Sequence, residues 1–133
     1  MDQKLISKFQ EDSFAKLLGI EIEKVEDGFA QVSMNVKSEM LNFHGTANGG
    51  AVFSLADVAF ACASNSHGQT AVGITVNIHY MNAGFENERL IATATEDTKS
   101  SRLGLYRIEV KNEKEDLVAL AEGMVYRKKE QVI

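Results

Sequence analysis

Between Gln3 and Leu18 the apolar residues Leu5, Ile6, Phe9, Phe14, Leu17 and Leu18 recur mostly every three to four positions. This spacing predicts a helix with one buried face, broken near Asp12-Ser13 and closed by Gly19 as a C-terminal cap. The period then changes to two. Ile20-Glu21-Ile22-Glu23 and the run from Phe29 to Val36 alternate around Glu26-Asp27-Gly28, and an Asp-Gly dipeptide between alternating segments predicts a β-hairpin. Residues 37–50 have no period and are rich in Asn, Gly, Ser and His, which is loop chemistry. From Gly50 to about Ser66 the chain is Ala-rich and apolar almost all the way round, as expected of a helix enclosed by other structure, with Gly68 ending it.

A long alternating strand follows, with Val72, Ile74, Val76, Ile78 and Tyr80 on one face and Gly73, Thr75, Asn77 and His79 on the other. Three further β-like runs, Leu90 to Thr98, Leu103 to Lys111 and Leu117 to Arg127, are separated by turns at Asn82-Ala83-Gly84, Lys99-Ser100-Ser101 and Asn112 to Asp116. Strands in succession with short turns favour an antiparallel sheet, and a fully apolar helix must be covered by it. The class is therefore α+β, with residues 1–133 forming one domain.

Composition changes this picture only by exclusion. The net charge of −5 and the absence of a basic stripe argue against nucleic acid as a partner. No apolar run approaches the roughly 20 residues needed to span a bilayer, and the first residues lack the organisation of a signal peptide, so neither a membrane nor secretion is expected. The one cysteine, Cys62, lies in the apolar helix and reads as a small buried hydrophobe, which fits a reducing cytoplasm.

The distribution of charge is more informative than its total. Over the 46 residues from Met40 to Phe85, Asp57 is the only Asp, Glu, Lys or Arg. A lone carboxylate in an apolar helix is costly unless it is bonded, paired or open to a cavity, which makes Asp57 the candidate reactive group, with a helix cap or a subunit contact as its structural alternatives. Just upstream, the segment from Asn42 to Gly50 brings amide and imidazole side chains, with paired glycines, to a helix N-terminus. Unpaired N–H groups and a partial positive charge there suit an oxyanion, and the glycines allow close approach. Asp57 lies eight residues beyond Gly49, roughly 10 Å or more along one axis, so one subunit does not bring the two together.

The stretch from Asn42 to Gly68, with Asn42-x-His44, Gly49-Gly50, Phe53-Ser54-Leu55-Ala56-Asp57-x-Ala59-Phe60-Ala61 and Asn65-Ser66-x-Gly68, closely resembles the PaaI-type hotdog-fold acyl-CoA thioesterases of phenylacetate degradation. The resemblance continues through Val76-Asn77-Ile78-His79-Tyr80 and more loosely through the Gly28-Phe29-Ala30 hairpin and Leu117-Val118-Ala119. It implies an antiparallel sheet wrapped around a central helix, a homodimer or homotetramer, and active sites shared across the dimer interface. It also implies roles: Asp57 as general base or nucleophile, the Gly49 N–H of the partner subunit as oxyanion donor, and Asn42 positioning the water or the carboxylate. His44, Asn48 and Gly50 would contact the substrate, and Ser100, Ser101 and Arg102 would meet coenzyme A phosphates. Coenzyme A belongs to the substrate, so no separate cofactor is implied. Members of the family commonly carry His where this chain has Asn48, which donates a hydrogen bond but does not titrate.

The histidines and Cys62 show no zinc-site spacing, so no metal is expected, and no Gly-x-Ser-x-Gly elbow supports a Ser-His-Asp triad. The reading is hydrolysis of an aromatic or medium-chain acyl-CoA. Two rivals remain: a hotdog hydratase or dehydratase acting on acyl thioesters, and a non-catalytic acyl-CoA binding module.

Overall fold

The computed structural model describes residues 1–133. The predicted N-terminal helix is two short ones, α1 (Gln3–Phe9) and α2 (Ser13–Leu17). They separate at Asp12, whose carboxylate accepts a hydrogen bond from the Ala15 N–H at 3.0 Å and so starts the second helix. Gly19 follows at φ +71°, a conformation that closes a helix at little cost for glycine alone.

The hairpin forms as read, from β1 (Glu21–Glu26) and β2 (Phe29–Asn35), with Gly28 at φ +70° in its turn. The long helix α3 spans Gly49–Ser64, and β3 (Gln69–Tyr80), β4 (Arg89–Lys99), β5 (Leu103–Lys111) and β6 (Leu117–Gln131) complete the chain. All six strands form one antiparallel sheet in the order β1-β2-β4-β5-β6-β3. β3 is reached after α3 yet pairs with the last strand, so β1 and β3 form the two opposite edges of the sheet.

The sheet wraps α3. Leu55, Ala56, Ala59, Phe60 and Ala63 are buried against Val32, Ala92, Ala94, Ile108 and Val125, the alternate inward positions of the strands. Phe60 sets how closely helix and sheet approach. A Cβ built on Gly123 would lie 2.7 Å from its ring and one on Gly73 3.1 Å, so two glycines form a slot that only a bare backbone leaves open. Tyr106 closes the other side edge-on, with ring centroids 5.8 Å apart.

Two expectations change. The helix is not enclosed all round: Gly50, Asp57 and Ala61 are exposed and Phe53 and Ser54 half-exposed, a stripe one turn apart that the single chain leaves bare. Nor does β3 keep one apolar face. Its pairing with β6 runs Gly73↔Val125 and then Thr75↔Met124, leaving Ile74 as a β-bulge. The extra residue inverts the alternation. Gly73 faces Phe60, Val72 and Ile74 are exposed, and beyond the bulge Val76 and Ile78 pack on the core. No helix is long and apolar enough to cross a membrane.

Candidate active site

Asn42 builds the loop that precedes α3. Its Oδ1 accepts from the N–H of His44 at 2.9 Å and of Thr46 at 3.2 Å, while its Nδ2 donates to Thr46 Oγ1 at 3.1 Å. The side chain is thus occupied in holding a turn closed by the Leu41↔Ala47 bridge. His44 projects from that turn, its ring 4.0 Å from that of Phe43, which is 94% exposed.

Asn48 is the N-cap of α3: its Oδ1 accepts from the Gly50 N–H at 2.8 Å and its carbonyl from Ala51 and Val52. An Asn before a glycine-led helix is a recognised capping signal; the sequence reading gave Asn48 only a substrate role, and its Nδ2 remains free to donate. Capping satisfies Gly50 and leaves the Gly49 N–H without an acceptor anywhere in the chain. Tyr80, at the end of β3, donates to the Gly49 carbonyl at 3.0 Å and fixes that peptide. Sequence reasoning placed Tyr80 only on a strand face, because a contact between positions 31 residues apart leaves no local trace. Asn42, Gly49 and Tyr80 line one cavity of about 340 Å³. A peptide N–H with no partner at a helix N-terminus, beside a cavity, is suited to accept developing negative charge.

Asp57 stands on the bare stripe of α3, about 12 Å along the axis from Gly49 at 1.5 Å per residue. Its carboxyl forms no hydrogen bond and no ion pair within the chain, and its pKa is raised, chiefly by desolvation and then by the negative charge of Asp12. Cys62, further along α3, is buried, and its thiol is pushed up to about 12, again mainly by burial. It is inert as a nucleophile.

Ser100, Ser101 and Arg102 form the exposed β4–β5 turn. Ser100 Oγ accepts from the N–H groups of Arg102 and Leu103, and the Arg102 carbonyl accepts from the Arg127 N–H. Because Leu103 pairs with Tyr126 and Ala71 with Arg127, this turn borders the Ala71 end of β3, whereas Gly49 borders the Tyr80 end. Nine residues of strand, about 30 Å, separate them. One chain therefore brings Asn42, Gly49, Asn48 and Gly50 together and holds Asp57 and the Ser100–Arg102 turn apart from them.

A second polar group escaped the sequence reading. His67 Nε2 lies 2.8 Å from Glu96 Oε1, which also accepts from Tyr106 Oη at 2.7 Å. Burial works to raise the Glu96 pKa, but the Tyr106 and His67 hydrogen bonds outweigh it and the net shift is downward. His67 thus ties the segment after α3 to β4.

Against known proteins, the sequence profile of the thioesterase superfamily matches residues 44–119. The acyl-coenzyme A thioesterase PaaI of Escherichia coli is 41% identical over 125 residues, covering 94% of this chain and 89% of its own. A protein of Archaeoglobus fulgidus is 46% identical over 119 residues, 90% of this chain and 77% of its own length. The structure of the E. coli PaaI protein superposes with a TM-score of 0.94 at 40% identity, covering 97% of this chain and 94% of that one. That of a variant of the phenylacetic acid degradation protein PaaI from Thermus thermophilus gives 0.85 at 39% identity, covering 88% and 100%.

Proposed function

This chain belongs to the thioesterase superfamily and is a thioester hydrolase of hotdog fold, and from that premise we propose that it hydrolyses an acyl-coenzyme A whose acyl part is aromatic, of phenylacetyl or hydroxyphenylacetyl type, or of medium length. The observation that carries the reading is a division on one helix: an unpaired carboxyl at Asp57 and an unpaired N–H at Gly49, about 12 Å apart. Each is half of an acyl-transfer site, and a second copy supplies the other half. β3 is one of the two sheet edges, with unused backbone donors and acceptors. Two such edges meeting antiparallel about a two-fold axis set the Tyr80 end of one beside the Ala71 end of the other. Asp57, midway along α3, then faces Gly49 of the partner subunit. The assembly proposed is a homodimer, or two of them as a homotetramer.

In that site Asp57 acts on the thioester carbonyl carbon, either by taking a proton from the attacking water or by attacking directly to form an anhydride that water then opens. Its pKa, raised chiefly by desolvation, makes it a stronger base than a free aspartate. The carbonyl oxygen becomes an oxyanion at the partner's unpaired Gly49 N–H, with Asn42 holding the loop and the free Nδ2 of Asn48 beside it. Collapse expels the coenzyme A thiolate, which takes up a proton, and releases the acid. The same pairing carries the Ser101 hydroxyl and Arg102 guanidinium to the partner's Gly49 end, where coenzyme A phosphates would find charge-assisted contacts.

Free-thiol release from phenylacetyl-CoA and a panel of aliphatic and aromatic acyl-CoAs, with wild type against Asp57→Ala, tests the reading. Turnover that falls at least about 10²-fold in the variant, with the oligomer unchanged by sedimentation, is the expected result. No thiol release by wild type over the panel removes the proposal, and consumption of an enoyl thioester without thiol release replaces hydrolysis by hydration.

A further inference from the structure

The arm formed by α1 and α2 does more than extend the chain, because it lies across β1 and α3 and leaves a cleft of about 310 Å³ beneath it. The cleft floor is apolar: Phe9 and Ala15 from the arm, Ile20 and Ile22 from the hairpin, and Val58 from α3. Val58 is the residue after Asp57. Asp12, the cap that separates α1 from α2, also lines the cleft, and its charge reaches the Asp57 carboxyl. The cleft therefore reaches the turn of α3 that carries the candidate reactive group, within the same subunit.

We propose that this cleft, formed under the α1–α2 arm, receives the acyl group of the substrate, so that Phe9, Ala15 and Ile22 set which acyl groups the enzyme accepts. The inference rests on the thioesterase reading above. Three features carry it. The cleft borders α3 at Val58, in the turn that carries Asp57, whereas the cavity of about 340 Å³ at Gly49, lined by Asn42, Thr46 and Asn82 as well as Val52, Met81 and Val118, lies at the helix N-terminus where the oxyanion is placed. Its volume lies at the lower end of the roughly 300–1,000 Å³ of small-molecule pockets, room for one ring or a medium chain and not for a long fatty chain. Its charged residues, Asp12, Glu21 and Lys16, leave one excess negative charge, which disfavours an acyl group carrying its own carboxylate. The chemistry selected is an uncharged, compact, apolar acyl group.

Two substitutions move the cleft in opposite directions. Ala15→Leu fills it from the arm, and Phe9→Ala, at a half-buried position, enlarges it. For straight-chain acyl-CoAs, kcat/KM of wild type should rise about fourfold per added methylene, the factor that ~0.8 kcal/mol per buried CH₂ produces, and then level off when the cleft is full. Ala15→Leu should bring the plateau to shorter chains and lower phenylacetyl-CoA turnover at least about tenfold while sparing acetyl-CoA, and Phe9→Ala should carry it to longer chains. Opposite displacements cannot both arise from partial unfolding. An unchanged profile in both variants, with wild-type turnover intact, overturns the cleft assignment and leaves the thioesterase reading standing. A profile that shifts instead with Met81→Trp, in the cavity at Gly49, also overturns it. Absence of thiol release by wild type is the separate failure of the underlying reading.

Discussion

Replacing Gly123 with alanine tests whether the slot for Phe60 is a steric requirement. The new Cβ would sit 2.7, 2.8 and 3.0 Å from three atoms of the ring, where carbon atoms rest at about 3.5–4.0 Å, so one of the two must move by about 1 Å. The ring has nowhere to go. It is 3% exposed, Tyr106 meets it edge-on, and a Cβ on Gly73 would lie 3.1 Å away. Overpacking of this kind costs roughly 1–3 kcal/mol. Without the clash the sign reverses, because alanine narrows the unfolded ensemble and stabilises by ~0.4–1 kcal/mol where the backbone permits. Phe60→Leu removes the clashing ring atoms and is destabilising by itself, by ~0.5–3 kcal/mol. The double variant should then be less damaged than the sum of the two by about 1–2 kcal/mol. Urea unfolding at one fixed protein concentration measures all four corners of the cycle, since an assembling chain has concentration-dependent stability. Additivity within ~0.5 kcal/mol, or a Gly123→Ala protein as stable as wild type, would refute the account of helix and sheet brought close by two missing side chains.

Asn48→Ala should lower stability by ~1 kcal/mol through loss of the N-cap, and Asn48→Asp should retain it; urea midpoints that do not separate the two would remove the capping role. Glu96 carries a lowered pKa, so its stabilisation is present above the ordinary glutamate value of 4.5 and disappears as pH falls through its lower folded value. The stability gap between wild type and Glu96→Gln, from thermal melts at pH 3 to 7, should therefore be full near neutrality and close below pH 4.5; a gap that widens in acid contradicts the assignment. Cys62 should resist iodoacetamide at pH 8 in the folded protein and react once the protein is unfolded, followed by mass spectrometry, given its burial and a thiol pushed up to about 12.

What could be read in advance was what depends on neighbours along the chain. The alanine-rich run yields α3 to within a residue or two at each end, the Asp-Gly turn yields the β1–β2 hairpin, and the charge gap from Met40 to Phe85 isolates Asp57. The rest depends on partners far away in sequence. Glu96 is joined to His67 across 29 positions and Tyr80 to Gly49 across 31, and neither pairing leaves a period or a motif. The bulge at Ile74 is invisible because the strand keeps alternating in composition while its backbone slips against β6. The Asn48 cap, by contrast, is a local feature, since an Asn directly before a helix caps it by ordinary side-chain chemistry whatever contact with substrate the family likeness implies.

That bulge has a meaning for how the gene can vary. Because the unpaired Ile74 switches the inward positions from Ala71 and Gly73 to Val76 and Ile78, those two side chains stay inward only while Ile74 itself is kept out of the ladder. Loss of that codon would join Gly73↔Val125 directly to Thr75↔Met124 in a regular ladder and leave Val76 and Ile78 inward, whereas pairing Ile74 itself with Met124 would turn Thr75, Asn77 and His79 toward the core and Val76 and Ile78 toward solvent. At this point of the chain the pairing downstream of Ile74, more than the number of residues, is what selection has to preserve.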